Sequence, residues 1–436
     1  MIKQKKDIIV VGSGPGGATI ARDLTLKKKD VIIIEQGKDN PPKGTAFSAF
    51  HYLGGSSLWG KGFILTKEGY QMIRGITTGG SSMLYLGCAW DPPFALFEKY
   101  NIDIQMECQE IKDELCVQTI PDHLLGPRAK ALTQSATSLG YQWEKIPKFL
   151  NADHCQTNCN CCMFGCPHHA KWHARDWILD AVSHGASFEN QMKCEKVIIE
   201  NQRAVGIIAV DQHNNEIQIE ADCVILSAGG IGSPSILKRS GIEAAGESFF
   251  FDPFIQVIGH MDKPFQPSKE FPMVTGFHLE DEGIMITDMS TPFSVYANNV
   301  VFALKPQHIF SMGTSIGLLL KVRDDIQGKI TKDEKIMSKP LTMNDKNKLE
   351  KGRAICENIL SYMGAKKIWA SKVAAAHPGG TCRIGHLLNH NLETDCKNLF
   401  VVDASVIPEP WGLPPTLTII SLARRLSRYI QKEVMS

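Results

Sequence analysis

A short apolar run, Ile8 to Val11, ends on Gly12-Ser13-Gly14-Pro15-Gly16-Gly17, and no other stretch limits the fold so tightly. Gly12, Gly14 and Gly17 have the spacing GxGxxG. Ala18, Ala21 and Leu24 then recur at helical spacing, and a second apolar run, Val31 to Ile34, stops on Glu35. This is a strand, tight turn, helix and strand in the order that binds dinucleotides. Gly12 permits the turn, Gly14 lets backbone approach a pyrophosphate, and Gly17 lets helix and strand pack closely. The free N–H groups at the helix start attract phosphate. Glu35 is placed to accept ribose hydroxyls. The fingerprint alone does not separate FAD from NAD.

The chain has 436 residues, enough for two or three units and a large core. Its 47 Lys and Arg balance 46 Asp and Glu, which argues against a nucleic-acid partner or an anionic membrane surface. No apolar run reaches the roughly 18–20 residues of a membrane span. The basic start, MIKQKK, runs straight into the fingerprint strand, so no signal peptide is expected and the location expected is cytoplasmic.

Beyond Glu35 two Gly-Ser elements follow, at 53–57 and 78–82, each a loop that lets backbone approach a ligand. Residues 127–140 and 170–182 read as helices. Short alternating strands at 196–200, 204–211, 215–220 and 222–226 form a small antiparallel meander. Residues 250–340 are strand-like. Residues 342–363 form an amphipathic helix with Thr342 or Asn344 as cap and Gly364 as stop. A strand at 399–402 ends on Asp403, and a last helix runs from 416 to about 432.

Four separated elements make the chain resemble the glucose–methanol–choline (GMC) oxidoreductases, FAD flavoproteins that oxidise alcohols. They are the fingerprint with Glu35; Arg74–Ser82 (RGITTGGSS), similar to the family's flavin loop; Ser233–Ile242 (SPSILKRSGI), close to its second signature; and a C-terminal set. That set comprises His377–Gly385 (HPGGTCRIG), Asn398–Pro408 (NLFVVDASVIP) and Pro414–Ile419 (PPTLTI). The resemblance implies non-covalent FAD held by Gly80, Ser81 and Ser82, with Val197 near the adenine. It puts Asp403 and Ala404 on the ribityl–phosphate side, and Pro415 and Thr416 at the ring. A helix starting at Thr416 would stabilise negative charge on a reduced flavin by roughly 0.3–2 kcal/mol.

The same resemblance puts His377 at the family's active-site histidine. An alcohol losing a hydride also loses a hydroxyl proton, and imidazole is a base suited to neutral pH. One departure stands out: the family usually places Asn or His where this chain has Pro414, which can neither donate a hydrogen bond nor carry a proton. Trp411, Glu409 and Tyr85 are the possible substitutes.

Five of the 13 cysteines fall between 155 and 166. Cys155, Cys159, Cys162 and Cys166 give C-x3-C-x2-C-x3-C-P, one residue from a ferredoxin run, and the stretch resembles the iron–sulfur insert of some flavin sugar dehydrogenases in the family. Cys161 could replace one ligand. A 3Fe–4S or 4Fe–4S cluster is expected, with zinc or no metal as alternatives.

These readings predict an α/β protein. A discontinuous Rossmann-like FAD-binding domain with a β-meander, residues 1–250 and 371–436, carries the cysteine insert at about 151–170. An α+β substrate domain with an antiparallel sheet covers 251–370. The expected activity is an FAD-dependent dehydrogenase acting on a sugar or on a cyclic or secondary alcohol. His377 is the expected base, and electrons are expected to leave through the cluster to a ferredoxin or a redox partner subunit. The alternatives are a desaturase or ene-reductase on the same scaffold, and a non-catalytic electron carrier or redox sensor.

Overall fold

A computed structural model describes residues 3–55, 61–266, 269–334 and 337–435. The expected loop at 53–57 is therefore described only to Gly55; Ser56 and Ser57 lie outside the described residues.

The fingerprint strand Lys3–Val11 lies inside a seven-stranded sheet, between Val31–Glu35 and Glu216–Leu226, parallel to both. Ser187–Asn190 extends the sheet beyond Val31–Glu35. Ile8 to Val11 and Val31 to Ile34 are almost wholly buried, as continuous apolar runs in a parallel sheet must be. Helix Pro15–Leu26 covers the sheet with Ile20, Ala21 and Leu24, and Pro15 stands in its first turn, where no N–H is missed.

The two strands expected at 215–220 and 222–226 are one continuous strand, Glu216–Leu226. It changes partners along its length. Glu216–Glu220 pairs antiparallel with Arg203–Val210, which in turn pairs with Lys193–Glu200. Val224–Leu226 instead takes the C-terminal strand Leu399–Val401 on that edge, in parallel. A meander and a strand from the far end of the chain thus share one edge.

A second, nine-stranded sheet is mostly antiparallel. Pro253–His260, Ser315–Val322, Ile284–Asp288 and Thr275–Leu279 are its centre. Phe63–Leu65, Gln71–Ile73, Glu144–Lys145, Lys366–Ala370 and Ala374–Ala375 complete it, so the first half of the chain contributes strands here too. Helix Met343–Tyr362 covers this sheet with Leu349, Cys356, Ile359 and Leu360. Thr342 caps it in a reciprocal box with Asp345, and Gly364 leaves it at φ +83°.

Helix Phe293–Phe302 was not expected: its valines and paired asparagines carry no helical stripe. The helix expected from 170 begins at Ala174. His173 is extended and its N–H donates to Asp176 (3.2 Å), while Lys171 is drawn elsewhere. No helix among the described residues is long and apolar enough to cross a membrane.

Candidate active site

Three helix N-termini converge on one cavity of about 920 Å³ between the two sheets. They are the starts of Pro15–Leu26, Gly229–Arg239 and Thr416–Tyr429. Each presents a positive partial charge, which favours an anionic ligand, although the Gly229 N–H is already donated to Asp403 (2.8 Å). The backbone confirms close approach. Gly12 has φ +104°, and a Cβ there would sit 2.2 Å from the Ser227 carbonyl; on Gly17 it would sit 2.0 Å from the Gly12 carbonyl. A Cβ on Gly14 would meet nothing within 4 Å, because that face is open to the cavity. The Gly-Gly-Ser-Ser loop lies against this turn, with the Gly79 N–H donating to Ser13 Oγ at 3.1 Å.

Gly12, Gly14, Glu35, Gly80, Ser81, Ser82, Asp403, Ala404, Pro415, Thr416 and His377 all line the cavity, as does Pro414. Gly17 sits beneath the turn and serves its packing. Glu35 is buried; Oε2 accepts from Ser13 N–H (3.1 Å) and Oγ–H (2.6 Å), and Oε1 from Gly37 N–H (2.7 Å). Burial raises its pKa against those bonds. Asp403 spends its carboxylate on Gly229 N–H (2.8 Å), Ser233 Oγ–H (2.5 Å) and Ser405 N–H (2.8 Å), tying a strand end to a helix start. Val197, expected near the adenine, is buried and does not line the cavity; its N–H donates to Ser240 Oγ (2.8 Å), whereas the nearby Met192, Lys193 and Cys194 do line it.

His377 is presented by a pinned bulge. Ala376 N–H bonds the Phe251 carbonyl (3.0 Å), and Phe250 and Gly379 exchange bonds at 2.9 and 3.0 Å. Between these ties His377 takes φ +52°, a left-handed conformation disfavoured outside glycine. Its Nδ1 lies 3.2 Å from Asp252 Oδ2 and 3.3 Å from Lys321 Nζ, and Lys321 Nζ lies 3.3 Å from the same Oδ2. Asp252 and Lys321 are each 2% exposed, whereas the His377 side chain is 29% exposed, on the cavity wall. Burial lowers the His377 pKa, the Lys321 charge lowers it further, and Asp252 pulls it back. Asp252 is itself left-handed, at φ +49°, its N–H held by Asp324 (3.0 Å), which pairs with the buried Lys339.

None of the three residues named for Pro414 presents a free polar group to the cavity. Tyr85 lines the cavity, but its hydroxyl donates to the Trp172 carbonyl (2.8 Å). Glu409 accepts from Tyr100 (3.2 Å), and Trp411 packs against Phe97; neither lines the cavity. Asp252 and Lys321 were missed. Their signal was a single charge inside an apolar run, in FFFDPF and LLLKV.

In the cysteine stretch, burial raises the Cys155 pKa, and Cys162, Cys166 and Cys159 lie near enough for their charges to raise it further, without forming the expected metal group. Among the described residues no three His, Cys, Asp or Glu side chains form a group that could hold a metal ion, so Cys155, Cys159, Cys162 and Cys166 are not supported as a ligand set. Cys162 and Cys166 pack as small apolar groups with Leu150, Phe271 and Val274, and Cys155 sits at the edge of that cluster. Burial pushes the Cys162 thiol up to about 11, and Cys161 likewise, with neighbouring cysteines adding repulsion to Cys161. The loop is held by Lys171, 1% exposed, which donates to the carbonyls of Cys162 (2.8 Å), Tyr85 (2.7 Å) and Ser82 (3.2 Å). Burial pulls the Lys171 pKa down to about 7. A cysteine-rich loop and the Gly-Gly-Ser-Ser loop are thereby fastened together, and Met163 and Phe164 reach the cavity.

Fold and site together define an FAD-dependent oxidoreductase with a Rossmann-like cofactor domain and a substrate-side sheet. Profiles of the GMC oxidoreductase family match residues 7–260 and 328–423, and the chain belongs to that family. An uncharacterized protein of Methanocaldococcus jannaschii is 26% identical, over 97% of this chain and 99% of its own. Long-chain-alcohol oxidase FAO3 of Arabidopsis thaliana is 23% identical, over 99% of this chain and 69% of its own. Among solved structures, pyridoxine 4-oxidase from Mesorbium loti shares the fold with a TM-score of 0.73 at 18% identity, covering 98% of this chain and 99% of that one. Aspergillus oryzae formate oxidase does so with 0.76 at 14%, covering 99% of each.

Proposed function

We propose that the protein oxidises an alcohol, with FAD in the cavity and His377 as the base that takes the hydroxyl proton. One observation carries the reading: His377 opens onto the same cavity as the three helix starts and the Gly-Gly-Ser-Ser loop, with Nδ1 anchored to a buried carboxylate. When bound, FAD supplies the acceptor for the hydride. The chain's own residues do the rest. The turn and helix start at Gly12–Gly16 would hold the phosphates, and Pro415 and Thr416 would face the flavin ring. Asp252 orients the imidazole so that its other nitrogen faces the substrate.

The substrate side has an apolar wall of Met163, Phe254, Met273, Met289 and Leu319, with Gln256, Thr291, Asn298 and Asn299 also lining the cavity. The apolar wall suits the hydrocarbon body of an alcohol. The names of two relatives, a long-chain-alcohol oxidase and a pyridoxine oxidase, agree with alcohol chemistry.

The iron–sulfur reading rests on cysteine spacing and is not supported by the arrangement of the thiols, so no electron is routed through a cluster or to a one-electron partner. Anaerobically purified protein is expected to contain flavin with little iron or acid-labile sulfide. Stoichiometric iron and sulfide would restore the cluster.

Bleaching of the flavin under argon by a panel of alcohols tests the activity. Alkyl alcohols are expected to bleach it faster than sugars. No bleaching by any alcohol overturns the proposal in favour of a carrier, and a response to enones instead would favour the ene-reductase.

A further inference from the structure

Pro414 stands where an Asn or His was expected, the Tyr85 and Glu409 oxygens are bonded elsewhere, and Lys321 lines the cavity beside His377. We propose that Lys321 is a positioning residue of this active site, fixing the tautomer and charge of His377 through Asp252. This rests on the reading of His377 as base.

The geometry decides which proton arrangement is possible. Lys321 Nζ, Asp252 Oδ2 and His377 Nδ1 stand 3.2–3.3 Å from one another. An ammonium has only protons to offer, and a carboxylate only lone pairs. If Lys321 donated to Nδ1, the lone pairs of Nδ1 and Oδ2 would face each other at 3.2 Å. If Nδ1–H and Lys321 both donate to Oδ2, each contact is satisfied, and Nε2 keeps a lone pair. Nε2 has no protein hydrogen bond among the described residues, and the ring opens onto the cavity.

Charge points the same way. A buried carboxylate alone beside His377 would favour imidazolium, which is no base. The ammonium cancels that pull while leaving the carboxylate able to orient the ring. A lysine 2% exposed is otherwise costly to bury. The other charged or titratable groups around the trio are Asp324 with Lys339 behind Asp252, Arg323 and His278 beside Lys321, and Cys88 across from it, near Lys148 and Asp288.

The test uses the holoenzyme with ¹³C/¹⁵N-labelled histidine, the His377 signal being assigned by its loss in H377Q. Wild type is expected to show the Nδ1–H tautomer; a neutral Nε2–H imidazole would overturn the proposal. K321M is expected to raise the His377 titration, and the acid limb of kcat/KM with it, by about one unit or more. Below the limb this is about a tenfold loss of kcat/KM at a given pH. K321R is expected to keep both close to wild type. A flavin-bound K321M with an unmoved His377 titration would refute the idea. Should K321M fail to fold with an unpaired Asp252, K321M/D252L removes both charges and the acceptor, and retention of a pure Nδ1–H tautomer there would refute it equally. The resonance measurements need no substrate, so absence of alcohol bleaching would fail the proposed activity alone.

Discussion

At the scale of single residues, the site is built from conformations that most side chains avoid. His377 and Asp252 both sit at positive φ, and the bonds to Phe250, Phe251 and Asp324 hold them there. Replacing His377 by Gln is expected to slow flavin bleaching by about 10²–10⁴-fold with flavin still bound, measured by anaerobic stopped-flow absorbance. Burial and Lys321 depress the His377 pKa from 6.5, so its basic form persists below that pH. The acid limb of kcat/KM is therefore expected below 6.5, and activity falls as pH drops through it. Gly12→Ala is expected to abolish flavin retention, because the added carbon would lie 2.2 Å from the Ser227 carbonyl at a φ of +104°. Co-purified flavin per chain, read from the visible spectrum, checks this.

At the scale of elements, what could be read from the sequence was whatever a local rule dictates. The fingerprint turn was legible because its φ of +104° favours glycine at Gly12, and helix Met343–Tyr362 because Thr342 and Gly364 mark its ends. Thr342→Ala should cost about 1 kcal/mol of stability, read from urea unfolding. Lys321 and Asp252 were not legible as partners. Lys321 is a lone charge in an apolar strand and Asp252 the lone charge just before one, and only the pairing of Pro253–His260 with Ser315–Val322 and Ala374–Ala375 brings them to His377. The cysteine stretch shows the converse. Spacing suggested ligands, but Leu150, Phe271 and Val274 gather Cys162 and Cys166 into an apolar cluster.

For the molecule as a whole, the ligand is a clamp between both sheets and both ends of the chain. Binding to the folded state alone adds stability by mass action, about 2.7 kcal/mol at a hundred times the dissociation constant. Stripping the flavin is expected to lower Tm, and adding FAD back should restore it in a concentration-dependent way, followed by differential scanning calorimetry. An unchanged Tm would mean that the cavity does not take FAD.

The edge shared by the meander and Leu399–Val401 bears on biogenesis. The slot beside Val224–Leu226 stays vacant until Leu399–Val401 has left the ribosome, and Pro415 and Thr416 emerge later still. Nascent chains stalled before residue 399 would lack that wall and should not capture flavin, so cofactor loading waits for these late segments.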